Sequence, residues 1–167
     1  MILRLALASD AASLVMMRAD TDLQHLLMAN PSTDVPTDRL ADTQAWLDRR
    51  SAAGWFRIVL DDEGQTVGFA QITEIHNKNR LGWLGISLLP TARGKGLATR
   101  ALAKTENAAK NELGLRKLLL QVRADNLPAS RLYDNSEWHL VGCLRAQYDD
   151  GTMLHDAFVY EKLLDAV

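Results

Sequence analysis

The chain has one cysteine, Cys143, among its 167 residues, so an intramolecular disulfide is excluded and a reducing compartment suits it. Long apolar runs are missing too. No stretch approaches the roughly 20 residues that a membrane helix requires. The apolar start, MILRLALASD, is interrupted by Arg4 and is shorter than the apolar segment of a signal peptide. These absences lead to the expectation of a cytoplasmic protein with no membrane partner. His25, His76, His139 and His155 are scattered without metal-ligand spacing, so no metal is expected. There is no internal repeat, low-complexity segment or linker, and the length is that of one domain with a real core. The formal net charge of −2 argues against a nucleic-acid partner.

That charge is unevenly spread. Residues 20–63 carry nine acidic and four basic side chains, a net of −5, whereas residues 81–131 carry three acidic and nine basic ones, a net of +6. Two readings stand: solvated helix faces, or a cationic ligand over the first stretch and an anionic one over the second.

Apolar periodicity predicts the elements. Ile2–Leu7 reads as a strand, and Asp10 as the cap of a helix carrying Leu14, Val15 and Met17. Asn30–Pro31 and Val35–Pro36 mark a loop, and Thr37 caps a second helix that Gly54 ends. Strands Trp55–Leu60, Val67–Ile75 and Leu81–Leu89 follow by short turns, which predicts antiparallel pairing. A helix then runs to about Leu113. Lys117–Val122 reads as a strand buried on both faces, and Pro128–Asn135 as a short helix. Strands His139–Tyr148 and Thr152–Glu161 close the chain around the hairpin signal Asp149-Asp150-Gly151. The order β, α, α, β, β, β, α, β, α, β, β describes an α+β protein. Its central sheet is mixed, mostly antiparallel and flanked by helices.

Chemistry concentrates in PTARGKGLATRAL, residues 90–102. A basic glycine turn between a strand and a helix presents free backbone N–H groups and the positive end of the helix dipole, where an anion binds. A tight turn without a ligand is the alternative. The Walker pattern GxxxxGK[ST] is not found in the sequence. The dinucleotide pattern GxGxxG fails at Thr99, and leucines occupy the region where its acidic residue belongs.

Arg93-Gly94-Lys95-Gly96-Leu97-Ala98 instead reads as [RQ]xxGx[GA], and here the chain resembles the GNAT superfamily of N-acetyltransferases. The likeness extends through LLLQV, ADNLPASRLYDNSEW and DGTMLHDAFVYEKLL in the family's order. TEIHNKNRLGWLGISLLP is similar to the polyamine, amino-sugar and ribosomal-protein N-terminal acetyltransferases. The resemblance implies a single N-acetyltransferase domain over residues 1–167, with the GNAT (acyl-CoA N-acyltransferase) fold, that moves an acetyl group from acetyl-CoA directly to a primary amine. The amine would belong to a polyamine, an amino sugar or an amino acid. Acetylation of a protein or peptide N-terminus, or acetyl-CoA binding without catalysis, are the alternatives.

The resemblance also implies roles for particular residues. The backbone of Arg93, Gly94, Lys95, Gly96, Leu97 and Ala98 would hold the pyrophosphate, within the field of Arg93, Lys95 and Arg100. The backbone of Ile86, Ser87 and Leu88, on a strand that splays from 117–122, would pair with the pantetheine arm, as would the amide of Asn126; a helix cap is the other reading of Asn126. Tyr133 would bind the coenzyme and give a proton to the leaving thiolate, with Ser130 as runner-up. Trp83 stands where the spermidine-like pattern has a glutamate. Glu74 matches another glutamate of that pattern and is the candidate base, beside a water relay. Cys143 is expected to be buried on a strand. The acceptor should lie over Asp10–Ala53, where the acidic stretch predicts a cationic amine, and a homo-oligomer is implied by the habit of relatives.

Overall fold

The computed structural model describes residues 1–29 and 37–164. Its strands are β1 (Ile2–Arg4), β2 (Trp55–Leu60), β3 (Thr66–His76), β4 (Leu81–Leu88), β5 (Lys117–Arg123), β6 (His139–Asp149) and β7 (Leu154–Leu163). Its helices are α1 (Asp10–Ala19), α2 (Thr21–Leu26), α3 (Arg39–Ala52), α4 (Leu97–Asn111) and α5 (Leu127–Asp134). All seven strands form one sheet in the order β1-β2-β3-β4-β5-β7-β6, in which only the β4–β5 pair is parallel. The mixed, mostly antiparallel α+β sheet expected from the sequence is the one observed.

Alternation along the strands builds a core on each face. Phe56, Ile58, Leu60 and Phe69 pack with Ala11, Leu14 and Met17 of α1, Leu23 of α2 and Leu47 of α3. The intervening residues Trp55, Val59, Ala70, Ile72 and Leu84 pack with Leu97, Ala101 and Leu102 of α4, and with Tyr133 of α5. Both faces of β2 are therefore covered, which is why WFRIVL is so apolar. In β5 only alternate residues, Leu118, Leu120 and Val122, are buried. Leu119 and Gln121 are half-exposed, so the strand is not buried on both faces as its composition implied.

Local differences from the sequence reading have polar causes. One expected first helix is two, because Asp20 leaves the helical conformation and its carboxylate accepts from the Leu23 N–H to start α2. Asp38, not Thr37, caps α3, accepting from the N–H groups of Leu40 and Ala41 at 3.0 Å. The loop expected at Asn30–Pro31 and Val35–Pro36 lies outside the described residues. Cys143 is exposed rather than buried, since it lies on β6, the sheet's edge strand. Among the described residues no helix is long and apolar enough to cross a membrane.

Asp10 is not a cap but an anchor. Its carboxylate is 2% exposed and accepts from both terminal nitrogens of Arg4, the Leu7 N–H and the Thr66 hydroxyl, each at 2.7 Å. These bonds end β1 at Arg4 and tie α1 to β3. Burial pushes the carboxyl up, but the Arg4 guanidinium, the Leu7 N–H and the Thr66 hydroxyl together outweigh it and hold it below the usual carboxylate range. A depressed carboxyl contributes stability that is present above its unfolded pKa of ~3.9 and is lost as pH falls through the folded value. Replacing Asp10 by Asn should therefore cost about 2–4 kcal/mol near neutral pH. In urea titrations the gap between wild type and variant should narrow below about pH 4.

Candidate active site

β4 and β5 pair at only three positions: Leu81 with Lys117, Gly82 with Leu118 and Trp83 with Leu119. Beyond Trp83, β4 stays with β3 to Leu88 and β5 stays with β7 to Arg123. The two strands part, and each leaves one edge without a strand partner. A cavity of about 1090 Å³ opens at the fork. Ile86, Gln121, Val122, Asn126 and Tyr133 line one side of it, and residues of α1, α2, α3 and β3 line the other. An unpaired backbone edge is a ready template for a ligand with amide groups of its own.

β4 leads into a short 3₁₀ turn, Pro90–Ala92, and then the glycine turn. Gly94 and Gly96 have φ of +73° and +69°, and Gly96 is the residue before α4. A Cβ at either would meet no protein atom, so the left-handed backbone is what requires glycine. The Arg93 N–H is used within the turn, donating to the Pro90 carbonyl at 3.2 Å. Among the described residues, the N–H groups from Gly94 to Thr99 make no such bond, and no side chain caps the helix. The open donors thus begin one residue later than the motif implied. Arg100 does not add free charge, because Asp62 grips it with bonds of 3.0 and 2.8 Å. Arg93 and Lys95 are exposed beside the turn.

The other expected coenzyme and proton-transfer residues divide by position. Ile86 and Asn126 line the cavity, whereas Ser87 and Leu88 are buried behind it. The Ser87 hydroxyl packs on the Met17 sulfur at 3.6 Å, and the Leu88 carbonyl accepts from Arg93 Nε at 3.4 Å. Asn126 caps α5 through its side-chain oxygen while facing the cavity. Tyr133 is 7% exposed and packs against Trp138 and Tyr160 with ring centroids 5.8 and 5.6 Å away. Burial, reinforced by Tyr160, pushes its phenol up to about 12. Ser130 does not join it. It is buried on the same face of α5 as Tyr133, one turn earlier, but is not part of the cavity wall.

Glu74 reaches the cavity through a distortion. Thr73 pairs with Trp83 and His76 with Leu81, so β3 carries one extra residue there. This β-bulge breaks the alternation that would send residue 74 to the opposite face, and both Thr73 and Glu74 line the cavity. Glu74 takes φ +48°, a left-handed conformation unfavourable for a residue with a Cβ. His76 serves the turn, its Nδ1 accepting from the Asn79 N–H at 3.1 Å. Nearby, a Cβ on Gly85 would lie 3.1 Å from the Gln71 amide, so this glycine makes room for Gln71.

The acceptor-side wall carries charges that were missed in the sequence. Arg18, Arg39, Arg49 and Arg50 line the cavity, against only Asp42 and Glu74. The acidic stretch does not converge on it. Asp20 and Asp38 cap helices, Asp48 accepts from Gln44, and Asp61, Asp62 and Glu63 line a separate cavity of about 360 Å³ beside Lys95. Of the acidic stretch, Asp42 lines the cavity among the described residues. Arg39, Asp42, Thr43, Trp46, Arg49 and Arg50 recur at helical spacing along α3, a legible signal of one polar and aromatic helix face. At the far end, Tyr148 of β6 donates to the Ala29 carbonyl at 2.9 Å and accepts from His25 Nδ1 at 2.8 Å, binding α2 to the closing hairpin.

Residues 21–138 match the family model described as the acetyltransferase (GNAT) family. An N-alpha-acetyltransferase of Saccharolobus solfataricus is 32% identical over 98 residues, covering 58% of this chain and 57% of that protein. A spermidine N(1)-acetyltransferase of Escherichia coli K12 is 27% identical over 111 residues, covering 66% and 55%. The chain thus spans little more than half the length of these curated relatives. Spermidine N-acetyltransferase from Vibrio cholerae, solved with CoA and spermine, superposes with a TM-score of 0.85 at 18% identity, covering 98% of this chain and 95% of that one. YncA from Salmonella typhimurium, solved with acetyl-CoA, gives 0.75 at 17% identity, covering 100% and 95%. At these identities the superpositions establish a shared fold.

The bulge at Glu74 makes a stability prediction. Replacing Glu74 by Gly removes a left-handed strain of about 1–2 kcal/mol and adds about 0.5–1 kcal/mol of backbone entropy cost. A net gain of about 0.5–1 kcal/mol is expected in chemical denaturation, and a loss would contradict the strained bulge.

Proposed function

The chain belongs to the acetyltransferase (GNAT) family, and from that premise we propose that it transfers the acetyl group of acetyl-CoA to the primary amine of a small molecule. The observation that carries this reading is the single cavity at the β4–β5 fork, lined at once by Glu74 and Tyr133. Acetyl-CoA fits the residues present. The unpartnered N–H groups of Gly94 to Ala98, with Arg93 and Lys95, suit a pyrophosphate. The open β4 edge at Ile86 and the side chain of Asn126 suit the amides of a pantetheine arm. When bound, the coenzyme supplies an acyl group activated as a thioester.

The chain's own residues then have three tasks. The fork holds the two reactants side by side, which turns an encounter in solution into a reaction within one cavity. A carboxylate oxygen of Glu74, directly or through water, takes a proton from the incoming ammonium, because only the neutral amine is a nucleophile. The Tyr133 hydroxyl gives its proton to the departing sulfur. A phenol held near 12 stays protonated at neutral pH, so the proton to be given is present. The Tyr148 link joins α2 to β6 in the wall of the cavity.

Three measurements test the reading. Saturating acetyl-CoA should raise the melting temperature by mass action, and Gly96→Val should reduce that rise because valine resists positive φ. Tyr133→Phe should lower kcat about 10- to 100-fold while acetyl-CoA affinity stays within about two-fold. Because the Tyr133 pKa is raised, the acid form persists as pH increases. The kcat profile should accordingly show no loss assignable to this group below about pH 10.

A further inference from the structure

We propose that the acceptor amine carries an oxyanion, a carboxylate or a phosphate, and that Arg49 and Arg50 at the C-terminal end of α3 bind it. The inference rests on the acetyl-transfer reading above and adds the substrate class, which is opposite in charge to the polyamines named among the relatives.

Charge is unbalanced along the walls of one cavity. Four arginines and two carboxylates line the cavity, with Arg39, Arg49 and Arg50 exposed to solvent. One of those carboxylates, Asp42, is already committed to Arg18 at 2.5 Å, with the guanidinium lying 5.1 Å from the Trp46 ring centre. Arg18 Nε remains buried without an acceptor. No carboxylate among the described residues pairs with Arg49 or Arg50. The nearest polar contact of Arg50 is a long one, 3.5 Å from the Gln71 side-chain oxygen. Among the described residues Glu74 alone is left to offset the remainder, which favours an anion in the cavity.

The coenzyme's phosphates do not account for these arginines. The glycine turn suited to a pyrophosphate starts α4, which packs on the opposite face of the sheet from α3, and none of residues 93–98 lines this cavity. The helix dipole alone would favour Arg49 and Arg50 at their position on α3. It does not explain Arg39, the first residue of α3, where the dipole disfavours a cation. Guanidinium forks match carboxylate and phosphate oxygens, and a polyamine would enter against like charge. Gln71 and Gly85 lie on the sheet between Arg50 and the fork, which sets the oxyanion and the reacting amine on one short molecule.

The test is a matched panel, read by thiol release from acetyl-CoA and by calorimetric binding in the presence of CoA. L-leucine is set against L-leucinamide, O-phosphoethanolamine against ethanolamine, and spermidine is run alone. The two pairs separate a carboxylate from a phosphate. At least one oxyanion probe should exceed its uncharged partner and spermidine by about ten-fold or more in kcat/KM. In the double variant Arg49→Gln, Arg50→Gln that preference should fall to within about two-fold, with the KM for acetyl-CoA unchanged. Added salt should erode the wild-type preference. Equal rates within both pairs, or spermidine as the best acceptor, would overturn the proposal and leave acetyl transfer standing. If no amine is acetylated, binding decides. Tight oxyanion binding that is lost in the double variant upholds this inference while acetyl transfer falls, and no oxyanion binding overturns it.

Discussion

Two neighbouring strands that pair for three residues and then separate govern this molecule. Backbone N–H and C=O groups seek partners, and a sheet interior normally supplies them. Past Trp83 and Leu119 it does not. The open edges must be met by water or by a ligand, and a ligand with amide groups spaced like a peptide satisfies them best. Everything else is arranged about that opening. β3 and β7 hold the outer edges of the two strands, α4 and α5 cover one face, and α1 to α3 wall the other.

The two faces then divide the electrostatics. On one side, a left-handed glycine turn leaves a helix start with open donors, and Asp62 removes Arg100 from the free charge there. On the other, arginines of α1 and α3 outnumber the carboxylates of the cavity. Tyr133 lies in the same cavity, in apolar packing that keeps its proton on. In the proposed reaction the acyl donor approaches along the splayed edges, the acceptor from the α3 wall, and the proton from α5.

Much of this was legible in the residues. Strand order followed from apolar periodicity, as did the helices apart from the break between α1 and α2, and the glycine turn followed from its spacing. Tyr133 followed from the likeness of ADNLPASRLY to the family pattern. What misled was net charge along the chain. Nine acidic residues between 20 and 63 implied an acidic acceptor site, but most are spent on capping, on turns or on a separate cavity. The arginines of the same stretch are fewer, yet α3 turns them to one face. Glu74 was named from its likeness to a glutamate in the family pattern. Its route into the cavity depends on a bulge, and an inserted residue is invisible until the partner strand is known. Asp10 has the composition of a cap and the surroundings of an anchor, since Arg4 and Thr66 come from two strands.

The sequence by itself determined the order of the strands along the chain, the mixed sheet and the glycine turn, because periodicity and backbone conformation are local properties. The tertiary structure alone decided where β4 and β5 part, that Ser130 is enclosed while Tyr133 faces the cavity, and which charges meet across it. Those outcomes depend on register and on the summed field of residues far apart in the chain. Local pattern carries no record of either.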